Sequence, residues 1–296
     1  MNKKTLLITG TSGFIGYNFL KYILSKNYLV IDILRIKNKK NVKLKNLKKK
    51  YPKTYKNIFF SEYSDLNKKI KKLKVNYFIN FATLYKNNHE YDDIFNFIKS
   101  NILFPSLLYE LVYKKVSKVI NFGSMMQHQS DGKFTAKNFY AATKNAFEMI
   151  NNFYNYSYNK TKFYNLKLYE SFGENDHRKK LIPTIIKNYK KNKITNIVSK
   201  KLELNIVHIN DINNAIMILL NSNIKSGTYC LKSKKNIRII DLIKDLNKKL
   251  KKKIKVRFLK KTVTKITNTK IKKLPKWKED INLMKKISSN FNNEKN

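Results

Sequence analysis

The sequence predicts an α/β fold in which helices cover both faces of a parallel sheet, with a smaller lobe in the C-terminal part. Short apolar runs alternate with longer segments of helical periodicity over the first two-thirds of the chain, as in successive β-α-β units. A glycine-rich turn joins the first apolar run to the first helical segment. Hydrophobic residues make up 42% of the 296 residues, which is enough to bury a full core.

The elements follow in order along the chain. Strands are predicted over residues 6–9, 29–33, 58–60, 77–81, 119–122 and 163–168. Apolar residues at helical spacing predict helices over residues 14–25, 65–73, 94–113 and 140–156. The lysine-rich residues 37–56 show little periodicity and are predicted to be a solvated excursion between the second and third strands. We expect residues 1–172, with core strands from residues 200–230, to form the main domain and residues 173–296 to form mainly the small lobe.

The first strand runs into a turn with the spacing of a phosphate-binding loop. Gly10 permits a tight turn, Gly13 lets backbone N–H groups approach a pyrophosphate, and Gly16 allows the helix to pack closely on the strand. The chain has only 7 glycines, so three at this spacing are hard to assign to chance. The pattern predicts a Rossmann-type dinucleotide site that begins with Gly10, Thr11, Ser12, Gly13, Phe14, Ile15 and Gly16.

Asp32 closes the second predicted strand, at the distance expected for a carboxylate that accepts hydrogen bonds from the adenosine ribose. This position favours NAD over NADP, because a 2′-phosphate would meet a like charge. Arg35 lies three residues further on and is able to accommodate that phosphate, so NADP stays open. Other candidates for the adenine and ribose pocket, each of which also fits a purely structural role, are Asp65, Leu66, Phe81, Ala82 and Thr83.

The fifth predicted strand is followed by Ser124, and a helix then begins with the pair Tyr140 and Lys144. Residues four apart lie on one helical face. An ammonium group near a phenol favours the phenolate, so Tyr140 is a candidate to exchange a proton with a substrate hydroxyl. On its own, a tyrosine followed by a lysine one helical turn later is usually just an exposed pair without a catalytic role. After a serine-terminated strand and downstream of the glycine turn, it predicts a catalytic group in which Ser124 orients the reacting oxygen.

These residues resemble an extended short-chain dehydrogenase/reductase of the NAD-dependent epimerase/dehydratase family. The similarity covers nearly the whole chain and includes Asn101, residues 166–173, residues 207–211 and residues 274–278. Residues 122–128, 139–148 and 176–183 look most like the CDP-abequose synthase branch, whose members reduce a 4-keto-deoxy sugar nucleotide. The resemblance implies cofactor contacts for Asn101, Tyr140 and Lys144, a nucleotide-diphosphate sugar as substrate, and a homodimer.

Departures from the family pattern narrow the reaction. Family dehydratases carry an acidic pair just after the serine, and this chain has Met125 and Met126 there, so a 4,6-dehydratase is not expected. Reduction of a keto sugar is the first expectation, and C4 epimerisation is the second. Glu170 and Glu174 replace residues that many relatives carry in the substrate loop. Candidate substrate-binding residues are Gln127, His128, Glu170, Arg178 and Lys180, although a loop histidine or a solvated basic turn would explain several of them.

The net charge of +45 suggests nucleic acid as a partner, but only four of the 64 basic residues are arginines, which phosphate and base recognition usually favours. We therefore expect solvated lysine faces and no specific nucleic acid. A non-catalytic dinucleotide-binding or nucleic-acid-binding protein is the rival hypothesis. The single Cys230, the absence of a long apolar run and the start of the chain favour a cytoplasmic protein without membrane insertion. No Cys, His and Asp spacing predicts a metal site.

Overall fold

The computed structural model of the protein describes residues 3–262, 266–267, 269–279 and 281–292. Its strands are β1 (Lys4–Thr9), β2 (Tyr28–Arg35), β3 (Tyr55–Phe60), β4 (Tyr77–Asn80), β5 (Lys118–Ser124), β6 (Lys162–Leu168), β7 (Glu170–Phe172), β8 (Thr195–Ile197), β9 (Glu203–Leu204), β10 (Ile206–His208), β11 (Gly227–Leu231), β12 (Ile237–Arg238) and β13 (Val256–Phe258). The α-helices are α1 (Phe14–Leu24), α2 (Val42–Lys50), α3 (Asp65–Ile70), α4 (Asp93–Ile98), α5 (Phe104–Val112), α6 (Phe139–Ser157), α7 (Leu181–Lys190), α8 (Ile209–Asn221), α9 (Ile239–Asn247) and α10 (Leu283–Asn292).

The main sheet has seven parallel strands in the order β11-β6-β5-β4-β1-β2-β3. Alternate side chains of β1 enter opposite layers. Leu6 and Ile8 pack in the core that contains α1 and α8, whereas Leu7 packs in the core that contains α3, α5 and α6. Strands buried on both faces explain the continuous apolar runs in the sequence. The predicted doubly wound α/β fold is confirmed.

A ladder of polar side chains crosses four strands of this sheet. The Thr9 hydroxyl donates to Asn80 Oδ1 at 2.7 Å, Asn80 Nδ2 donates to Asn121 Oδ1 at 3.0 Å, and Asn121 Nδ2 donates to Asn165 Oδ1 at 3.1 Å. All four residues are buried, and neighbouring members are paired in the strand register. Because a slip by one residue would break every bond of the ladder, it pins the strand ends that carry the candidate site.

Two segments differ from the sequence prediction. Residues 37–56 are only partly a solvated excursion, because a 3₁₀ turn at Ile36–Lys40 is followed by α2, which buries Leu44 and Leu47. The helix has just two apolar anchors among its lysines, too few to produce a periodic signal. The predicted helix over residues 94–113 contains a π-helical turn at Lys99–Leu103. Pro105 follows that turn and lacks the N–H of a regular helix, so the hydrogen-bonding pattern must shift there.

The C-terminal part has its own apolar core, which joins α7, α9 and α10 to β7, β8, β9 and β10. The chain leaves the main sheet after β6 and returns for β11, and Lys273 later forms an isolated parallel bridge with Cys230 of β11. Trp277 anchors the later segment to the main core, where its Nε1 donates to the Asp211 carbonyl oxygen at 2.9 Å. Among the described helices, none is both long and apolar enough to cross a bilayer.

Candidate active site

The glycine turn between β1 and α1 has the close backbone approaches that the sequence predicted. Gly10 adopts a φ of 74°, and a Cβ there would lie 2.3 Å from the backbone nitrogen of Ala82. A Cβ on Gly16 would lie 2.5 Å from the Gly10 carbonyl oxygen. Larger residues would therefore push the turn away from β4 and from the first turn of α1. The turn leaves the N-terminus of an 11-residue helix facing a cavity, where free N–H groups attract anions.

That cavity has a volume of about 500 Å³ and lies at the carboxyl ends of the sheet strands. The predicted site residues that line it are Gly10, Ser12, Gly13, Phe14, Ile15, Gly16, Phe81, Ala82, Thr83, Ser124, Tyr140, Lys144, Glu170, Arg178 and Lys180. The predicted site residues that are not among its lining residues are Thr11, Asp32, Asp65, Leu66, Asn101, Gln127 and His128. One cavity thus contains the glycine turn, the Ser124-Tyr140-Lys144 group and three residues of the candidate substrate loop.

Tyr140 lies in the first turn of α6, capped by Asn138, and is buried at one wall of the cavity. Burial raises the pKa of its phenol well above the usual value, and the neighbouring Tyr85 acts in the same direction. The side chains of Thr83 and Ser124 and the charge of Arg178 oppose this and lower the pKa. The phenol is therefore protonated near neutral pH and is in a position to donate a proton into the cavity.

Lys144 follows Tyr140 by one helical turn and is buried beside it. Burial lowers the pKa of its ammonium group to about 8, while the charge of Glu148, one further turn along α6, acts to raise it. An amine with this pKa is mainly charged at neutral pH, so it supplies a positive charge inside the cavity.

The substrate-loop wall is built from residues that contact one another. Lys180 Nζ lies 3.4 Å from Glu170 Oε1 and 4.7 Å from the centre of the Tyr85 ring, which in turn meets the Tyr140 ring edge-on at 4.9 Å. Tyr85 gives no motif in the sequence, and only its position after β4 identifies it as a neighbour of Tyr140.

Arg178 is the second cation of this wall, and much of its hydrogen-bonding capacity is already used. The guanidinium binds both carboxylate oxygens of Asp176, at 2.8 and 2.7 Å, and donates to the Ser171 carbonyl oxygen. It also lies 4.2 Å from the centre of the Phe14 ring, at the start of α1. Arg178 therefore joins the substrate loop to the glycine turn while one of its faces lines the cavity.

Asp32 is not among the residues that line the cavity. Its side chain points into the protein from within β2 and is fully buried, with Oδ2 accepting hydrogen bonds from Thr11 at 2.5 Å and from Tyr55 at 2.7 Å. Burial raises the pKa of this carboxyl group to about 7, although both hydroxyls act to lower it. Strand β2 extends to Arg35, and its last residues, not Asp32, reach the cavity.

Three other candidates are not among the residues that line the cavity. Asp65 begins α3 and pairs with Lys69 at the surface, while Leu66 is buried in the core. Asn101 lies in the π-helical turn, where its side chain bonds to Thr83, to both backbone polar groups of Leu84 and to Thr143. Asn101 thus holds the cavity-lining segment after β4 against α6.

Gln127 and His128 belong to a buried polar cluster beneath the Ser124 turn. Gln127 Oε1 accepts the Ser124 N–H at 2.8 Å, and Gln127 Nε2 donates to Glu148 Oε2 at 2.6 Å. Lys167 Nζ lies 2.8 Å from Glu148 Oε2 and 2.8 Å from His128 Nε2. The sequence contained one overlooked signal for this cluster, since Tyr140, Lys144 and Glu148 follow at four-residue spacing on one face of α6.

The charges around the cavity favour anionic ligands. Its charged lining residues are Arg35, Lys37, Lys144, Arg178, Lys180 and Glu170. Five positive groups face one negative group, and the glycine turn leaves room for the close approach of a phosphate. The residues present therefore fit a dinucleotide, whose pyrophosphate the start of α1 would hold and whose nicotinamide end Tyr140 and Lys144 would hold.

Comparison with known sequences finds one matching family and several curated relatives. The profile of the NAD dependent epimerase/dehydratase family matches residues 6–230. A CDP-abequose synthase of Yersinia pseudotuberculosis is 28% identical over 226 residues, covering 76% of this chain and 75% of the relative. A CDP-abequose synthase of Salmonella muenchen is 22% identical over 261 residues, covering 87% and 84%.

Solved structures share the fold over nearly the full length. A UDP-N-acetylglucosamine 4-epimerase from Methanobrevibacter ruminantium M1, in complex with UDP-N-acetylmuramic acid, superimposes with a TM-score of 0.83 at 18% identity, covering 99% of this chain and 98% of that one. A dTDP-glucose 4,6-dehydratase from Bacillus anthracis str. Ames, in complex with NAD, gives 0.79 at 19% identity, covering 98% and 96%. At these identities the similarity establishes the architecture.

Proposed function

Because the chain belongs to the NAD dependent epimerase/dehydratase family, we propose that it reduces a 4-keto-deoxy nucleotide-diphosphate sugar with a reduced nicotinamide dinucleotide. The observation that carries the proposal is that Ser124, Tyr140 and Lys144 line the same cavity as the glycine turn. The similarity to two CDP-abequose synthases supports a keto sugar as substrate. We assign the dinucleotide to the part of the cavity formed by residues 1–172, and the sugar mainly to the part formed by residues 173–296, with its reacting carbonyl reaching Ser124 and Tyr140.

Each catalytic residue has a defined task. The reduced nicotinamide, when bound, supplies a hydride to the carbonyl carbon of the sugar. Tyr140 donates its proton to the carbonyl oxygen as that carbon is reduced, since its raised pKa keeps the phenol protonated until negative charge develops nearby. Ser124 orients the same oxygen. Lys144, charged at neutral pH, stabilises the phenolate that Tyr140 leaves behind, and a proton from water then restores the phenol.

The residues after Ser124 disfavour a dehydration reaction. Elimination of water from a sugar needs a general acid and a general base, and Met125 and Met126 offer thioethers at those positions. Met125 is buried, whereas Met126 lines the cavity. An apolar contact there accommodates the deoxy part of a sugar. C4 epimerisation needs no acidic pair and is the alternative that the test must separate from reduction.

The test is incubation of the purified chain with a panel of 4-keto nucleotide sugars, while the absorbance of NADH or NADPH is followed. A reductase consumes one equivalent of cofactor per sugar. Tyr140→Phe is expected to lower the rate by about two to four orders of magnitude, because the proton donor is lost. Isomerisation of an unoxidised nucleotide sugar without consumption of added cofactor would instead establish an epimerase and overturn the reductase proposal.

We also propose that two copies associate through α4, the π-helical turn and α6, which pack side by side. The exposed apolar residues on these segments are Phe95, Ile98, Leu103, Met149, Phe153 and Tyr156. Their spacing forms a stripe on each helix, as expected for a face that a second copy covers. Light scattering should give the mass of a dimer, and Phe153→Lys should shift it toward the monomer.

We assign the enzyme to the cytoplasm, since Cys230 is a buried free thiol.

A further inference from the structure

The cavity extends past the glycine turn to the end of β2, where basic and amide side chains join its lining. Ile33, Leu34 and Arg35 of β2 line this end, together with Lys37 and Asn38 of the following 3₁₀ turn. In a Rossmann-type fold the end of the second strand faces the ribose of the adenosine. The groups at this position therefore decide whether the ribose carries a free 2′-hydroxyl or a 2′-phosphate.

The Arg35 side chain is held in place, and some of its N–H donors remain available to a ligand. Its Nη2 donates to Ser100 Oγ at 2.8 Å and lies 3.4 Å from the Tyr63 hydroxyl, which fixes the half-buried side chain against the π-helical turn. Its hydrogen bonds to described residues all involve Nη2. The Nε and Nη1 groups thus leave N–H donors for a ligand, in the planar arrangement that matches phosphate oxygens.

Lys37 and Asn38 add to the same end of the cavity. Lys37 is exposed and forms no ion pair with any described residue, so its charge is available to a ligand. The Asn38 side chain carries amide donors and is half-buried.

No carboxylate within the described residues lines this end to receive ribose hydroxyls. Asp32, the residue expected in that role, accepts hydrogen bonds from Thr11 and Tyr55 inside the protein. Its Oδ1 is buried with no partner among the described residues, and Asp32 does not line the cavity, so the group does not reach a ribose there. Glu170 is the one carboxylate among the lining residues, and it belongs to β7 and pairs with Lys180.

We infer that the chain prefers NADP(H) to NAD(H), with the 2′-phosphate bound by Arg35 and supported by Lys37 and Asn38. The inference rests on the dinucleotide site proposed above. A phosphate with about two negative charges gains charge-assisted hydrogen bonds from the guanidinium, whereas a neutral 2′-hydroxyl meets donors and no carboxylate. The preference opposes the one that Asp32 suggested from the sequence, because the burial of that carboxylate removes its influence on the ribose.

Calorimetry with adenosine 2′,5′-bisphosphate and adenosine 5′-monophosphate isolates the 2′-phosphate, since the two probes differ only by that group. We expect the bisphosphate to bind at least about tenfold more tightly, the amount that one charge-assisted hydrogen bond contributes. The same order is expected for NADP and NAD. Equal affinities, or tighter binding of NAD, would overturn the inference.

Variants then assign the effect to residues. Arg35→Ala should remove about a tenfold to hundredfold preference while leaving 5′-monophosphate binding within about twofold, which also shows that the site is folded. Lys37→Ala should weaken the bisphosphate less, by a few fold, because its charge is exposed. Lys39→Ala is the matched control, since Lys39 lies in the same turn and is not among the lining residues. A loss of both ligands in equal proportion in Arg35→Ala and Lys37→Ala would contradict the assignment.

These binding measurements need no sugar substrate. If the chain prefers NADP but reduces no keto sugar, this inference holds and the proposed reaction is wrong. If the chain reduces keto sugars with a preference for NADH, the proposed reaction holds and this inference is wrong.

Discussion

Two buried carboxylates flank the cavity, and their surroundings differ. Asp32, inside β2, accepts hydrogen bonds from the hydroxyls of Thr11 and Tyr55, and its other oxygen has no partner among the described residues. Glu148, on α6, lies 2.8 Å from the buried Lys167 ammonium and also receives bonds from Gln127 and Thr228. The first carboxylate is stabilised by dipoles and the second by a full charge.

Burial has different consequences for the two carboxylates. Two hydroxyls do not offset the desolvation of Asp32, so its pKa rises to about 7 and its charge is lost easily. At Glu148 the lysine balances the charge, and the carboxylate can hold Gln127 beneath Ser124 and act on Lys144. The carboxylate beside the Ser124 turn is paired with a lysine, whereas no carboxylate lines the cavity at the end of β2.

The largest effect is expected from breaking the paired carboxylate. Glu148→Ala leaves the Lys167 ammonium buried without a counter-charge and should lower the free energy of unfolding by about 3–5 kcal/mol. Urea denaturation measures this loss. The double variant Glu148→Leu with Lys167→Met removes both charges and should restore all but about 1–2 kcal/mol. Equal losses in the single and double variants would show that the charge pair is not the reason.

A smaller effect is expected from the unpaired carboxylate, and it should depend on pH. The pKa of Asp32 is raised from 3.8 to about 7 in the folded protein, so the unfolded chain loses this proton at lower pH than the folded one. Stability from this group is complete below pH 3.8 and is lost as pH rises toward about 7. Between about pH 5 and pH 7 the wild type should lose about 2 kcal/mol relative to Asp32→Asn, which does not titrate.

Parallel urea titrations of the two proteins across that range provide the measurement. Asp65→Asn is the control, because Asp65 is a surface carboxylate. A hydrogen bond from Lys69 lowers its pKa, so Asp65 titrates below the range of the experiment. A constant difference between wild type and Asp32→Asn would show that Asp32 keeps one protonation state throughout.

The smallest effect tests the link between Glu148 and the reacting centre. The charge of Glu148 raises the pKa of Lys144, which burial lowers to about 8, so Glu148→Gln should lower that pKa further. The alkaline fall in kcat/KM should then begin at lower pH, by less than about one unit. Thr228→Val keeps the carboxylate and removes one of its hydrogen bonds, so its profile should match the wild type. An unchanged alkaline limb in Glu148→Gln would contradict the link.

Much of the architecture follows from local patterns in the sequence. Strand β1, the glycine turn and α1 were predictable because each depends on neighbouring residues: a short apolar run, a positive backbone φ that favours glycine at Gly10, and helical spacing. The order of Ser124, Tyr140 and Lys144 along the chain was readable for the same reason. Helix α2 was missed, since its two buried leucines carry too little periodicity to stand out among lysines.

The chain by itself therefore determined the doubly wound fold, the glycine turn and the candidate catalytic group, because these depend on spacing within single elements. Only the tertiary structure decided what Asp32, Gln127 and His128 do, because each role depends on partners distant in sequence. Tyr55 and Thr11 enclose Asp32 from two other segments, and Lys167 reaches Glu148 and His128 from a separate strand. Spacing places a carboxylate near a cavity, but its partners decide whether it faces the cavity or the core.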